Sequence, residues 1–146
     1  MSNQKEILDD VFGPLAKPRL YSKSVVLWFS FLFSPLVGGL LMLINLNRIQ
    51  KLSLGITIFL ASIVFTLGSI YFGYLIPYQN TSRLMLLIMN LVGANLLSGP
   101  VWRNAIGKLD YERINPWLTF AIIVICYAAL GIALYALLIR SVSEGL

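Results

Sequence analysis

Two asparagines, Asn90 and Asn95, stand inside an otherwise apolar run, and the preceding run carries Ser62, Thr66, Ser69 and Gly73 at spacings of four, three and four. These are the residues whose types and spacing could do chemistry. A carboxamide surrounded by hydrocarbon could grip a polar ligand, and a hydroxyl stripe on one helical face could line a polar pathway. Each also has a packing role. Small and hydroxylated residues let helix backbones approach closely in lipid, and a buried asparagine bonds to a neighbouring helix, worth on the order of 1 kcal/mol. Ser34, Pro35, Gly38 and Gly39 form a third group: they interrupt the apolar stretch 24–46 at its centre, where the chain could turn back.

Catalytic constellations are missing from the sequence. There is no histidine, no acidic residue inside an apolar run, no metal-ligand spacing and no phosphate loop, so neither an enzyme nor a bound cofactor is expected. The one cysteine, Cys126, lies in an apolar run and reads as a small apolar filler. Residues 1–23 contain Glu6, Asp9 and Asp10 ahead of the first apolar run, a pattern unlike a cleavable signal peptide.

The elements that must position these residues belong to a membrane. A hydrophobic share of 58% with only 12% charged residues lies outside the range of soluble domains. Eleven Lys and Arg against six Asp and Glu give a net charge of +5. The cations flank apolar segments, as anionic lipid headgroups favour, and no basic stripe interleaves with aromatics as nucleic-acid binding would require. Four apolar segments follow a cytoplasmic N-tail of residues 1–23: 24–46, 54–76, 84–102 and 117–139, together one membrane domain spanning 24–146. Ile7, Leu8, Val11, Phe12 and Leu15 place a short amphipathic helix in the tail. Val101, Trp102, Ala105, Ile106 and Leu109 predict a second interfacial helix within 100–115; Ser98-Gly99-Pro100 follows the short run 84–97, which spans only if it continues into Val101 and Trp102. The YQNTSR stretch reads as a tight polar turn, and Ala129 with Ala133 forms a small-xxx-small packing pair on the last segment.

Charge placement bears on the central stretch. If all four segments span, six cations (Lys5, Lys17, Arg19, Lys23, Arg83, Arg140) face five (Arg48, Lys51, Arg103, Lys108, Arg113) across the bilayer. If 24–46 turns back at Ser34 to Gly39, nine face two, with Arg83 and Arg140 outside. A third arrangement leaves 84–102 non-spanning, giving eight against three. The hairpin obeys the positive-inside rule best. The expected fold is therefore an all-α polytopic bundle: three spanning helices, a Pro/Gly-broken re-entrant hairpin and two interfacial helices, with four spanning helices as the alternative.

Tyr21-Ser22-Lys23, then Ser34-Pro35-Leu36-Val37-Gly38-Gly39 and Asn45-Leu46-Asn47, resemble the start of a family of small, uncharacterised bacterial multi-pass inner-membrane proteins. The resemblance covers about residues 21–51. It implies an inner-membrane location and brings no activity; the rest of the chain departs from the family in lacking a long polar insert before the last helix. The residues favour an accessory or scaffolding membrane protein that binds a membrane partner or a second copy of itself, with a small oligomeric transporter or channel subunit as the alternative.

Overall fold

The computed structural model describes residues 17–77 and 79–143. The amphipathic helix expected within residues 3–15 lies outside them. The chain divides at Asn115 into two units.

The first unit opens with a two-residue strand, β1 (Arg19–Leu20), followed by α1 (Lys23–Leu32) and α2 (Pro35–Arg48). Ser22 caps α1, its hydroxyl accepting from the Val25 amide at 3.4 Å, and Pro35 starts α2 at a position where its missing amide costs nothing. The break is confined to Phe33 and Ser34. Gly38 and Gly39, expected in the turn, lie instead inside α2, because Pro35 with an extended Ser34 is enough to end one helix and start the next.

The C-terminus of α2 closes with Gln50 in the left-handed region (φ 59°), the Lys51 amide donating to Leu46 O at 2.8 Å and the Gln50 amide to Asn47 O at 3.1 Å. This doubly bonded ending turns the chain sharply into α3 (Leu52–Leu75). The helix α4 (Gln79–Leu96) begins inside the stretch expected to be a turn. It runs through a π-helical turn, Leu97–Val101, into α5 (Trp102–Ala105). Ser98-Gly99-Pro100 therefore does not stop the helix. Widening the backbone by one residue accommodates the proline ring and its missing donor, as π-bulges do.

The predicted interfacial helix over 100–115 is accordingly absent: its first residues finish the long helix. Gly107 (φ 65°) then turns the chain out into an extended segment containing β2 (Glu112–Arg113). β2 pairs parallel with β1, Arg19 opposite Glu112 and Leu20 opposite Arg113, a small non-helical addition to the all-α expectation. The third apolar run, too short when counted from 84 to 97, becomes part of a 26-residue helix, Asn80–Ala105. That length also removes the physical reason for leaving it non-spanning.

The second unit is one long helix, α6 (Trp117–Ser143), apolar over Trp117–Leu137. With Leu52–Leu75 and Asn80–Ala105, it makes three helices among the described residues that are long and apolar enough to cross a membrane.

Candidate functional site: the helical hairpin and its basic end

The two short helices fold back on one another with a register centred on the break. Ser30 lies opposite Gly38, so closely that a methyl group on Gly38 would fall on the serine hydroxyl. That hydroxyl already donates to Val26 O at 2.6 Å within its own helix. Nearer the open end, Asn45 is fully buried and grips the backbone of Tyr21 with both ends of its carboxamide. Its Oδ1 accepts from the Tyr21 amide at 2.8 Å and its Nδ2 donates to the Tyr21 carbonyl at 3.0 Å. Arg48 closes the mouth, donating to Arg19 O at 2.7 Å. The pairs 30–38, 21–45 and 19–48 are nested about Phe33-Ser34, which is the signature of a hairpin rather than a kinked straight helix.

The hairpin wedges between α3 and α4. Gly39 meets the side chain of Ser62 on α3. At the tip, Pro35 packs onto Gly93 of α4 beside Phe65 of α3. Gly93 lies twelve residues from Ala105 and Phe65 thirteen from Leu52, which at about 1.5 Å per residue puts the tip roughly 18–20 Å along both long helices. The tip is level with their middles. A groove of about 170 Å³ opens beside it, lined by Pro35, Phe65, Gly93 and neighbouring aliphatic side chains, with Ser62 contributing the only hydroxyl.

The sequence-selected polar residues distribute as follows. Ser62 and Ser69 are buried and bond back to Ile58 O (2.9 Å) and Phe65 O (2.8 Å). Gly73 adjoins Leu86 and Ser82 of α4, and the Ser82 hydroxyl donates to Gly73 O at 2.7 Å. Thr66 Oγ1 is buried without a hydrogen-bond partner among the described residues. Asn90 reaches the hairpin, its Nδ2 lying 3.5 Å from the Phe31 carbonyl in the last turn of α1, a long bond to a carbonyl with no helical partner of its own. Asn95 does not: it is exposed and bonds Leu91 O in its own helix at 2.8 Å. Ala129 and Ala133 lie on α6, both exposed.

The open end of the hairpin gathers charge. Lys51 donates to Ala105 O at 2.9 Å, placing a cation on the last carbonyls of the long helix. Lys17 and Asp110 pair at 2.6 Å, and Arg19 and Glu112 at 3.7 Å, alongside the β1–β2 bridge. The hydrogen bond from Lys17, and then its charge, hold the Asp110 carboxyl below its usual range; the same bond raises Lys17. Lys23, Arg103 and Lys108 also lie at this end, around a cavity formed with the π-helical turn.

Sequence reasoning missed the clamp. Asn45 entered only as part of a motif, although a lone carboxamide in an apolar run must find partners and was legible as such. Comparison with protein-family models, curated proteins and solved structures finds no match to this chain.

Proposed function

We propose that this chain is a small multi-pass integral membrane protein of accessory or scaffolding type, with three spanning helices and a re-entrant hairpin. The hairpin enters from the side that holds the N-terminal segment, and the basic end favours a cytoplasmic assignment for that side. Lys17, Arg19, Lys23, Arg48, Lys51, Arg103, Lys108 and Arg113 all fall at or beyond that end of the first unit, against Arg83 near the other. The resemblance over residues 21–51 favours a bacterial inner membrane. A re-entrant break needs cover from other helices, and Ser62, Phe65 and Gly93 supply it.

The observation that carries the accessory role is α6. Its span is apolar around its circumference, with no charged residue from Trp117 to Leu137. It presents Ala129 and Ala133 one turn apart, the small-residue spacing by which helices approach closely in lipid. The polar residues of the first unit's spans, by contrast, chiefly bond helix carbonyls, which is the work of packing. The test is purification of the full chain in a mild detergent after cross-linking from cysteines placed at Ala129 and Ala133. A stoichiometric membrane partner captured at these positions supports the reading. A homo-oligomer that conducts ions in liposomes replaces it with the transport alternative.

A further inference from the structure

We propose that Lys23, Arg103 and Lys108 form a discrete binding site for the phosphate headgroup of an anionic phospholipid. The three cations border one cavity of about 630 Å³, together with Trp102 and the wall of the π-helical turn at Gly99-Pro100. They come from distant parts of the sequence, the first residue of α1 and both sides of the end of α5, so the fold rather than local composition brings them together. Among the described residues both carboxylates at this end are taken: Asp110 by Lys17 and Glu112 by Arg19. Among the described residues no carboxylate pairs with Lys23, Arg103 or Lys108. Three cations around one concavity repel each other, and an anion seated among them removes that repulsion.

The surroundings identify the anion as a lipid. The cavity sits at the end of a 26-residue apolar helix, where headgroups lie if that helix spans. Trp102 is a buried aromatic at the same level, in the place where indoles favour the interface. From the cavity an apolar lane leads toward the core: Gly99 leaves open space beside the helix, and Leu96 and Val92, one and two turns back, are exposed. A phosphate held by the cations can lay an acyl chain along them. Three cations suit a headgroup with two phosphates better than one with a single charge.

The inference rests on the membrane placement proposed above, and recovery of the chain in carbonate-washed membranes tests that placement separately. The full chain in neutral detergent is titrated with cardiolipin, phosphatidylglycerol, phosphatidylcholine or inorganic phosphate, reading retained lipid by native mass spectrometry and the thermal midpoint. Affinity is expected to fall in the order cardiolipin, phosphatidylglycerol, phosphatidylcholine. Lys108→Gln and Arg103→Gln should each weaken cardiolipin binding about fivefold, the scale of one lysine or arginine at an anionic surface. Arg113→Gln, the same charge change outside the cavity, should change it less than twofold, and Lys108→Arg should retain it. Equal losses from Arg113→Gln and Lys108→Gln overturn the site, as does equal retention of all three lipids. A midpoint shift from inorganic phosphate equal to that from cardiolipin overturns the lipid assignment. Loss of the chain from washed membranes overturns the placement as well.

Discussion

Asn45 bonds both backbone groups of Tyr21, accepting from its amide at 2.8 Å and donating to its carbonyl at 3.0 Å, with the asparagine wholly buried. One side chain thereby does what a β-bridge would do, tying the segment before α1 to the far end of α2. Asn45→Leu keeps the branched outline with somewhat more bulk and removes both bonds, stranding a buried donor and a buried acceptor at about 1–3 kcal/mol each. The expected outcome is a loss of about 2–6 kcal/mol, read as a lowered midpoint in detergent unfolding. Asn45→Asp keeps the acceptor and loses the donor, so its loss should be of similar size near neutral pH, where one carboxylate oxygen then faces the Tyr21 carbonyl oxygen. A leucine variant as stable as the parent would remove the clamp from this account.

The contact between Ser30 and Gly38 sets how closely the hairpin arms approach. Gly38→Ala places a methyl group on the Ser30 hydroxyl, and overpacking of that kind costs about 1–3 kcal/mol. Ser30→Gly vacates the space. In the double variant the two costs should fail to add by 0.5 kcal/mol or more, as expected for side chains in direct contact. Additive costs would mean that the arms do not meet there.

Gln50 adopts a left-handed conformation that a side chain disfavours by roughly 1–2 kcal/mol. Gln50→Gly relieves that strain, and the flexibility glycine adds to the unfolded chain offsets part of it. A net gain of about 0.5–1 kcal/mol is expected in the unfolding midpoint, without any change in the contacts of α2 and α3. A loss would show that the glutamine side chain makes a contribution of its own.

The Lys17–Asp110 pair gives the β1–β2 bridge a pH window. The Asp110 pKa is lowered by its bonded lysine, so its contribution is present above the ordinary carboxylate value and fades as pH falls through the lower, folded value. The Lys17 pKa is raised, so its contribution is present below the ordinary lysine value and fades as pH rises through the higher one. The pair therefore acts from roughly pH 4 to pH 10. Both groups are fully exposed, and the effect on global stability is small. Amide exchange at Glu112 and Ile114, which donate to Pro18 O and Leu20 O, reports it locally. Protection at these amides should drop in Asp110→Asn at neutral pH. Unchanged protection would leave the strand pair independent of its ion pair.

What the sequence made legible follows from what membrane physics writes into composition. Long apolar runs, the Ser34-Pro35 interruption and the charge asymmetry all act through single residue types, and they led to the helices of 52–75 and 117–143 and to the turned-back stretch. The π-helical turn at 97–101 was not legible, because Pro100 carries the same stop signal whether the backbone ends or widens. The interfacial helix expected over 100–115 failed for the same reason: Val101, Trp102 and Ala105 share a face, but as the last turns of a longer helix. Gly38 and Gly39 marked close approach rather than a bend, a distinction set by what packs against them. The β1–β2 pairing and the basic cavity join residues 80 to 93 positions apart, which no local pattern records.

The hairpin makes a topological prediction that a four-span bundle contradicts. With α1 and α2 folded back, residue 23 and residue 47 lie on one side, residue 80 on the other, and the C-terminus opposite the N-terminal segment. Four crossings would separate 23 from 47 and return both chain ends to one side. In a Cys126→Ala background, single cysteines at Lys23, Asn47 and Asn80 distinguish the two: all three residues are exposed, and the altered side chains bear none of the bonds that close the hairpin. An impermeant maleimide applied to sealed cells should label N80C and leave K23C and N47C unmodified until the membrane is opened. A C-terminal alkaline phosphatase fusion should be active, while the fluorescent cytoplasmic counterpart stays dark. Labelling that separates Lys23 from Asn47 would convert the Phe33-Ser34 break from a re-entrant tip into a bend between full crossings.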